Sequence, residues 1–175
     1  DNFSWLPKHW SGRSMGQIVL GVGDLGVSKK PGDIIKTFGL GSCVAVVLLD
    51  PKIKAVGMAH IALPDSTLHK GTSIEKPGRF ADTGLTVLLK QMLALNNGKR
   101  NQMFVKLAGG AQVLDPEMRF NIGKRNILAI KKFLWAQNMA AIAEDIGGTI
   151  PRTVEAFVDT GKVKIITSGK LRRVL

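Results

Sequence analysis

From Gln17 onward, short apolar runs alternate with turn-forming residues: QIVLGVG at 17–23, IIKTFG at 34–39 after Pro31-Gly32, VAVVLLD at 44–50 and AVGMAHIAL at 55–63. Runs of this length, rich in Val and Ile and bounded by Gly, Pro and Asp, predict β-strands. Only residues 51–54 separate the last two, too few for a parallel crossover, so the Asp50-Pro51 turn predicts an antiparallel hairpin. Pairing positions then sum to about 105, which places position 43 opposite about 62 and His60 within two residues of that register. Between Arg79 and Leu95 the period changes: Ala81, Leu85, Leu88, Leu89 and Met92 share one helical face, and Asn96-Asn97-Gly98 stops the helix. QMFVKLAGG at 102–110 predicts a further strand, and Gly123 to Gln137 a second helix through Ile127, Ile130 and Leu134. AAIAEDIGG and a hairpin of TVEAFVD and KVKIITS around Thr160-Gly161 complete a strand-rich chain interrupted by two helices. Residues 1–16, with Trp5, Pro7 and Trp10, show no period and are expected as an irregular extension whose tryptophans dock on the domain. Residues 17–170 form the expected single domain, and 171–175 a basic tail.

Composition narrows the class. At 175 residues and 45% apolar content the chain suits one well-cored domain. Its single cysteine forms no intrachain disulfide, so the expected setting is reducing and cytoplasmic. The longest uncharged apolar stretch, Thr37 to Leu49, is thirteen residues, short of the roughly twenty that span a bilayer, so no membrane insertion is expected. No basic segment leads into an apolar run near Asp1, and no signal peptide is read there. The net charge of +12 attracts acidic partners. The basic residues nevertheless fall in scattered pairs, such as Lys29-Lys30 and Lys124-Arg125, without tyrosine for base stacking. Nucleic acid is therefore not an expected partner; binding through charge alone predicts affinity that falls steeply with salt.

Three motifs carry candidate chemistry. Gly21-Val22-Gly23-Asp24-Leu25-Gly26 fits GxGxxG after a strand, but Pro31-Gly32 arrives too soon for the helix that would hold a pyrophosphate. A metal site is not expected, because Cys43, His9, His60 and His69 lack close-paired ligand spacing. The third motif is Cys43 behind Gly39, Gly41 and Ser42. A lone cysteine is most often a small buried hydrophobe. A glycine turn can also gather backbone N–H groups into an oxyanion hole, here at Gly41 and Ser42, beside a thiol that His60 activates.

Thr37-x-x-Leu40-Gly41-Ser42-Cys43, Asp50-Pro51 and Gly57-Met58-Ala59-His60 with Leu63-Pro64 resemble the chemoreceptor glutamine deamidase family, CheD. The likeness continues through Phe80-Ala81-Asp82, Gly109-Gly110-Ala111, Ile122-Gly123-x-Arg125-Asn126 and Glu144-Asp145-x-Gly147-Gly148, over about residues 17–168. It implies an α/β layered sandwich of mixed, largely antiparallel sheet with two long helices packed outside. It also implies a Cys43-His60-Thr37 triad hydrolysing receptor glutamine side chains, with glutamate methyl esters as a side substrate, and no metal or organic cofactor. The implied partners are the cytoplasmic helical region of chemoreceptors and, where present, the CheC phosphatase. The rival expectation is a noncatalytic adaptor on the same partners with Cys43 buried and protonated. Ala108 and Pro151 depart from the family pattern, outside the triad.

Overall fold

The computed structural model describes residues 16–67, 69, 75–113 and 120–175, so the N-terminal tryptophans and His9 lie outside the described residues. Among the described residues ten strands form two five-stranded sheets. The first contains β1 (Gln17–Leu20), β3 (Ile34–Leu40), β8 (Arg152–Phe157), β9 (Val163–Thr167) and β10 (Lys170–Val174), in that order. The second runs β2 (Leu25–Ser28), β5 (Ala55–Ile61), β4 (Val44–Asp50), β6 (Phe104–Gly109) and β7 (Ala141–Ile146). Among the strands of the described residues, only β1–β3 and β6–β7 pair in parallel. The architecture is therefore the mixed, largely antiparallel α/β sandwich expected, with α1 (Ala81–Leu95) and α2 (Ile122–Ala136) outside the second sheet.

The apolar run at 44–50 lies at the centre of this arrangement. Every residue of β4 and β5 is buried, because the second sheet is covered on both faces and a strand there has no polar side to show. Alternation sorts their side chains. Val44, Val46, Leu48, Ala59 and Ile61 pack under the helices with Leu85, Leu88 and Ile130. Ala45, Val47, Leu49, Val56 and Met58 face the first sheet and meet Ile18, Ile35, Val154 and Ile165. The hairpin has the expected register, Val44 opposite Ile61 and Ala45 opposite His60.

Two short strands depart from expectation. The run at 17–23 ends as a strand at Leu20, where the chain turns through Gly21 to Asp24 and crosses to the second sheet as β2. The Gly21 N–H donates to Asp24 Oδ2 at 2.7 Å, so the GxGxxG segment is a turn between sheets. The stretch expected as a basic tail forms β10, an edge strand paired with β9 and bulged at Arg172. Its five residues are exposed and three of them, Lys170, Arg172 and Arg173, are charged, which blunts a sheet edge against further pairing. Among the described residues no helix is long and apolar enough to cross a membrane.

Candidate active site

His60 lies on β5 opposite Ala45, on the face of the second sheet turned toward the first. Thr37 approaches from β3 across the layer. A register shift between Thr37 and Leu40 in the β3–β8 ladder lets both side chains point inward, with Phe38 and Gly39 left exposed. Gly39 takes φ 64°, a left-handed conformation that an L side chain disfavours. The chain then leads from the bulge to Cys43.

Thr37 and His60 are fully buried, at 0% and 1% exposure, and Thr37 Oγ1 lies 2.7 Å from His60 Nδ1. The same hydroxyl donates its only proton to Leu20 O on the neighbouring strand at 2.8 Å. Toward the imidazole the oxygen must therefore accept, so Nδ1 carries the proton and Nε2 presents a lone pair. Nε2 is buried with no hydrogen-bond partner among the described residues. Burial pushes the imidazole down to about 4, Asp24 pulls it up and Lys76 pushes it further down. His60 is thus a neutral base at physiological pH.

Cys43 precedes β4 and packs, partly exposed, against the layer between the sheets. Two residues before Ala45, it is a diagonal neighbour of His60, about 7–8 Å away by the usual spacing of such positions. The structure does not join them by a hydrogen bond, since Nε2 is unpartnered. Burial raises the thiol above its ordinary value, and the Cys43 N–H beside the sulfur pulls it back in part.

Three successive carbonyls of the loop are held by hydrogen bonds. Gly41 O accepts from Ala111 N (2.8 Å), Ser42 O from Asn126 Nδ2 (3.0 Å) and Cys43 O from Gly110 N (2.8 Å). In a trans peptide the N–H points opposite its carbonyl, so the Ser42 N–H faces away from Ala111 N and the Cys43 N–H away from Asn126 Nδ2. Gly109 has no room for a side chain, since a Cβ there would meet Cys43 O at 2.3 Å. A cleft of about 420 Å³ opens beside the loop, lined by Gly41, Ser42, Val113, Phe120, Ile122 and Pro151.

The model of the family described as CheD, chemotactic sensory transduction, matches residues 62–167. A protein of Syntrophotalea carbinolica named probable chemoreceptor glutamine deamidase CheD is 47% identical over 89% of this chain and 97% of its own length. A similarly named protein of Syntrophus aciditrophicus is 43% identical over 89% of this chain and 96% of its own length. The chemoreceptor glutamine deamidase CheD of Thermotoga maritima is 42% identical over 86% and 92%. The chain belongs to the CheD family.

Within this CheD fold a buried ion pair fastens the two sheets at the same end of the molecule. Arg152 on β8, 4% exposed, donates from Nε to Asp145 Oδ1 on β7 at 2.8 Å, and Arg172 on β10 reaches Oδ2 at 3.2 Å. Burial alone would raise the Asp145 carboxyl, but the two guanidinium groups outweigh it and the net shift is downward. The functions of Gly110, Ala111 and Asn126 as anchors of the Cys43 loop were not assigned from sequence. The signal was present in Gly109-Gly110-Ala111 and Arg125-Asn126, whose residue types have no explanation in the helical or strand period.

Proposed function

We propose that this CheD protein deamidates glutamine side chains of chemoreceptors, with Cys43 as nucleophile, His60 as proton carrier and Thr37 as the group that orients the imidazole. The observation that carries the reading is the Leu20-Thr37-His60 chain of hydrogen bonds, which holds the proton on Nδ1 and leaves Nε2 free as a base. Because burial raises the thiol and lowers the imidazole, the resting pair is neutral, and proton transfer accompanies attack. Nε2 takes the thiol proton as sulfur bonds to the carboxamide carbon. The oxyanion meets the N–H groups of Ser42 and Cys43 beside Gly41. His60 returns the proton to the departing nitrogen, ammonia leaves, and a thioester remains. Water activated by Nε2 then adds to the thioester and frees glutamate and the thiol. A glutamate methyl ester would follow the same path with methanol as leaving group.

The cleft beside the loop supports a substrate presented on a protein surface, such as the cytoplasmic helical region of a receptor, with the CheC phosphatase as a further partner where present. The test is mass spectrometry of a receptor cytoplasmic fragment after incubation with the protein. A gain of about one dalton at specific glutamines, the exchange of NH2 for OH, is the expected result. An unchanged fragment from a receptor of the same organism would remove the assignment.

Thr37→Val should lower kcat about 10- to 100-fold with KM little changed, the range seen when a partner orienting a functional histidine is lost. Valine keeps the branched shape but cannot accept from Nδ1–H, and it removes a donor to Leu20 O. Thr37→Ser should recover most of the activity. Steady-state kinetics of the two variants decide the point, and wild-type turnover in Thr37→Val would leave a Cys43-His60 dyad.

A further inference from the structure

The geometry points to Asn126 as a positioning residue of this site, one side-chain amide that sets the separation between the Cys43 loop and the His60 strand; the inference rests on the deamidase reading above. Asn126 lies in the second turn of α2 and is fully buried. Its Nδ2 donates one hydrogen to Ser42 O and the other to Ala62 O, each at 3.0 Å. Ser42 immediately precedes Cys43, and Ala62 follows His60 by two residues.

The place of these contacts in the sheet explains their importance. The β4–β5 ladder ends at Val44 opposite Ile61, and the next opposed pair would be Cys43 and Ala62. In a continued ladder the next hydrogen bond would run from Leu63 N to Ser42 O; instead Leu63 N donates to Arg79 O, and Ser42 O accepts from Asn126 Nδ2. The strands therefore part beside the reactive residues, and the Asn126 amide takes over the bridge. Two carbonyl oxygens facing one group require two hydrogens on that group. Aspartate has none to give when ionised, leucine has none at similar volume, and serine has one on a shorter stem. The same requirement fixes the amide's orientation, since the flipped form would set Oδ1 against both carbonyls.

Asn126 Oδ1 is buried without a hydrogen-bond partner among the described residues. An orphaned acceptor destabilises a fold, and asparagine is also a poor residue inside a helix. The two carbonyls that it satisfies give a structural reason for an amide here, and the spacing of nucleophile and base gives a functional one. A displacement near one ångström at reacting groups costs on the order of 100-fold in rate.

The test compares wild type with Asn126→Leu and Asn126→Ser on a receptor fragment, together with iodoacetamide labelling of Cys43 and thermal melting. In Asn126→Leu, kcat should fall on the order of 100-fold with KM changed less than about threefold. Labelling at neutral pH should slow toward the rate of a variant lacking His60, and labelling above the thiol's pKa should match wild type. Asn126→Ser should fall between, and it carries the test if the leucine variant does not fold. A serine variant that melts lower but keeps wild-type kcat and labelling would reduce Asn126 to a structural residue and overturn the inference. If wild type itself leaves the fragment unmodified, the deamidase reading fails, and the labelling comparison still judges Asn126.

Discussion

Cys43→Ala should abolish deamidation, lowering kcat by at least about 10⁴-fold, because the covalent route has no other nucleophile. The chain has one cysteine, so no second thiol can substitute. The fold should survive. Cys43 is only partly buried and lies outside the strands, at the rim of the layer formed by Ala45, Met58 and Val154. Removing one sulfur there should cost about 1 kcal/mol, a shift of roughly 2–4 °C in melting temperature for a domain of this size. The measurement is receptor-fragment deamidation by mass spectrometry beside a thermal melt of the same preparation. Retained turnover in a folded variant would remove Cys43 from the reaction, and the thioester with it.

His60→Ala is the second large effect, a loss of roughly 10²- to 10⁴-fold in kcat, the range for removing a general acid–base group. The pH dependence distinguishes its role. With the imidazole held down to about 4, the base stays unprotonated across the neutral range. In wild type kcat/KM should therefore be flat around pH 7 and fall only as pH drops toward 4, rather than near the ordinary histidine value of about 6.5. The alanine variant should lack that limb. Because burial raises the Cys43 thiol, its alkylation should climb with pH beyond the ordinary thiol range in both proteins. At neutral pH, where a neighbouring base assists, wild type should label faster. Equal labelling at pH 7 would mean that His60 does not activate the thiol. An acid limb near 6.5 would mean that burial does not govern the imidazole.

The β4–β5 hairpin, its register, both long helices and the richness in strands were legible in the residues, because each depends on local patterns; the layered sandwich entered through family likeness. A four-residue turn after Asp50-Pro51 admits only an antiparallel return, and a period of 3.6 between Ala81 and Leu95 admits only a helix. That register also placed His60 within two residues of the position opposite Cys43. β2 and β10 were missed because four- or five-residue segments with few apolar positions become strands only when a neighbour offers hydrogen bonds, β5 for one and β9 for the other. Thr37 entered as a site residue through family likeness alone. What gives it a partner is the bulge after it and the stacking of one sheet on the other, which bring β3 against β5. Asn126 is set by the same kind of long-range fact, a helix laid across the point where two strands part. The sequence by itself determined most of the strands, both long helices and where Cys43 and His60 fall along them, since those follow from periodicity and turn chemistry. Only the tertiary structure decided which groups orient the histidine and fasten the loop, because contacts between layers depend on register, bulges and packing that no local run of residues encodes.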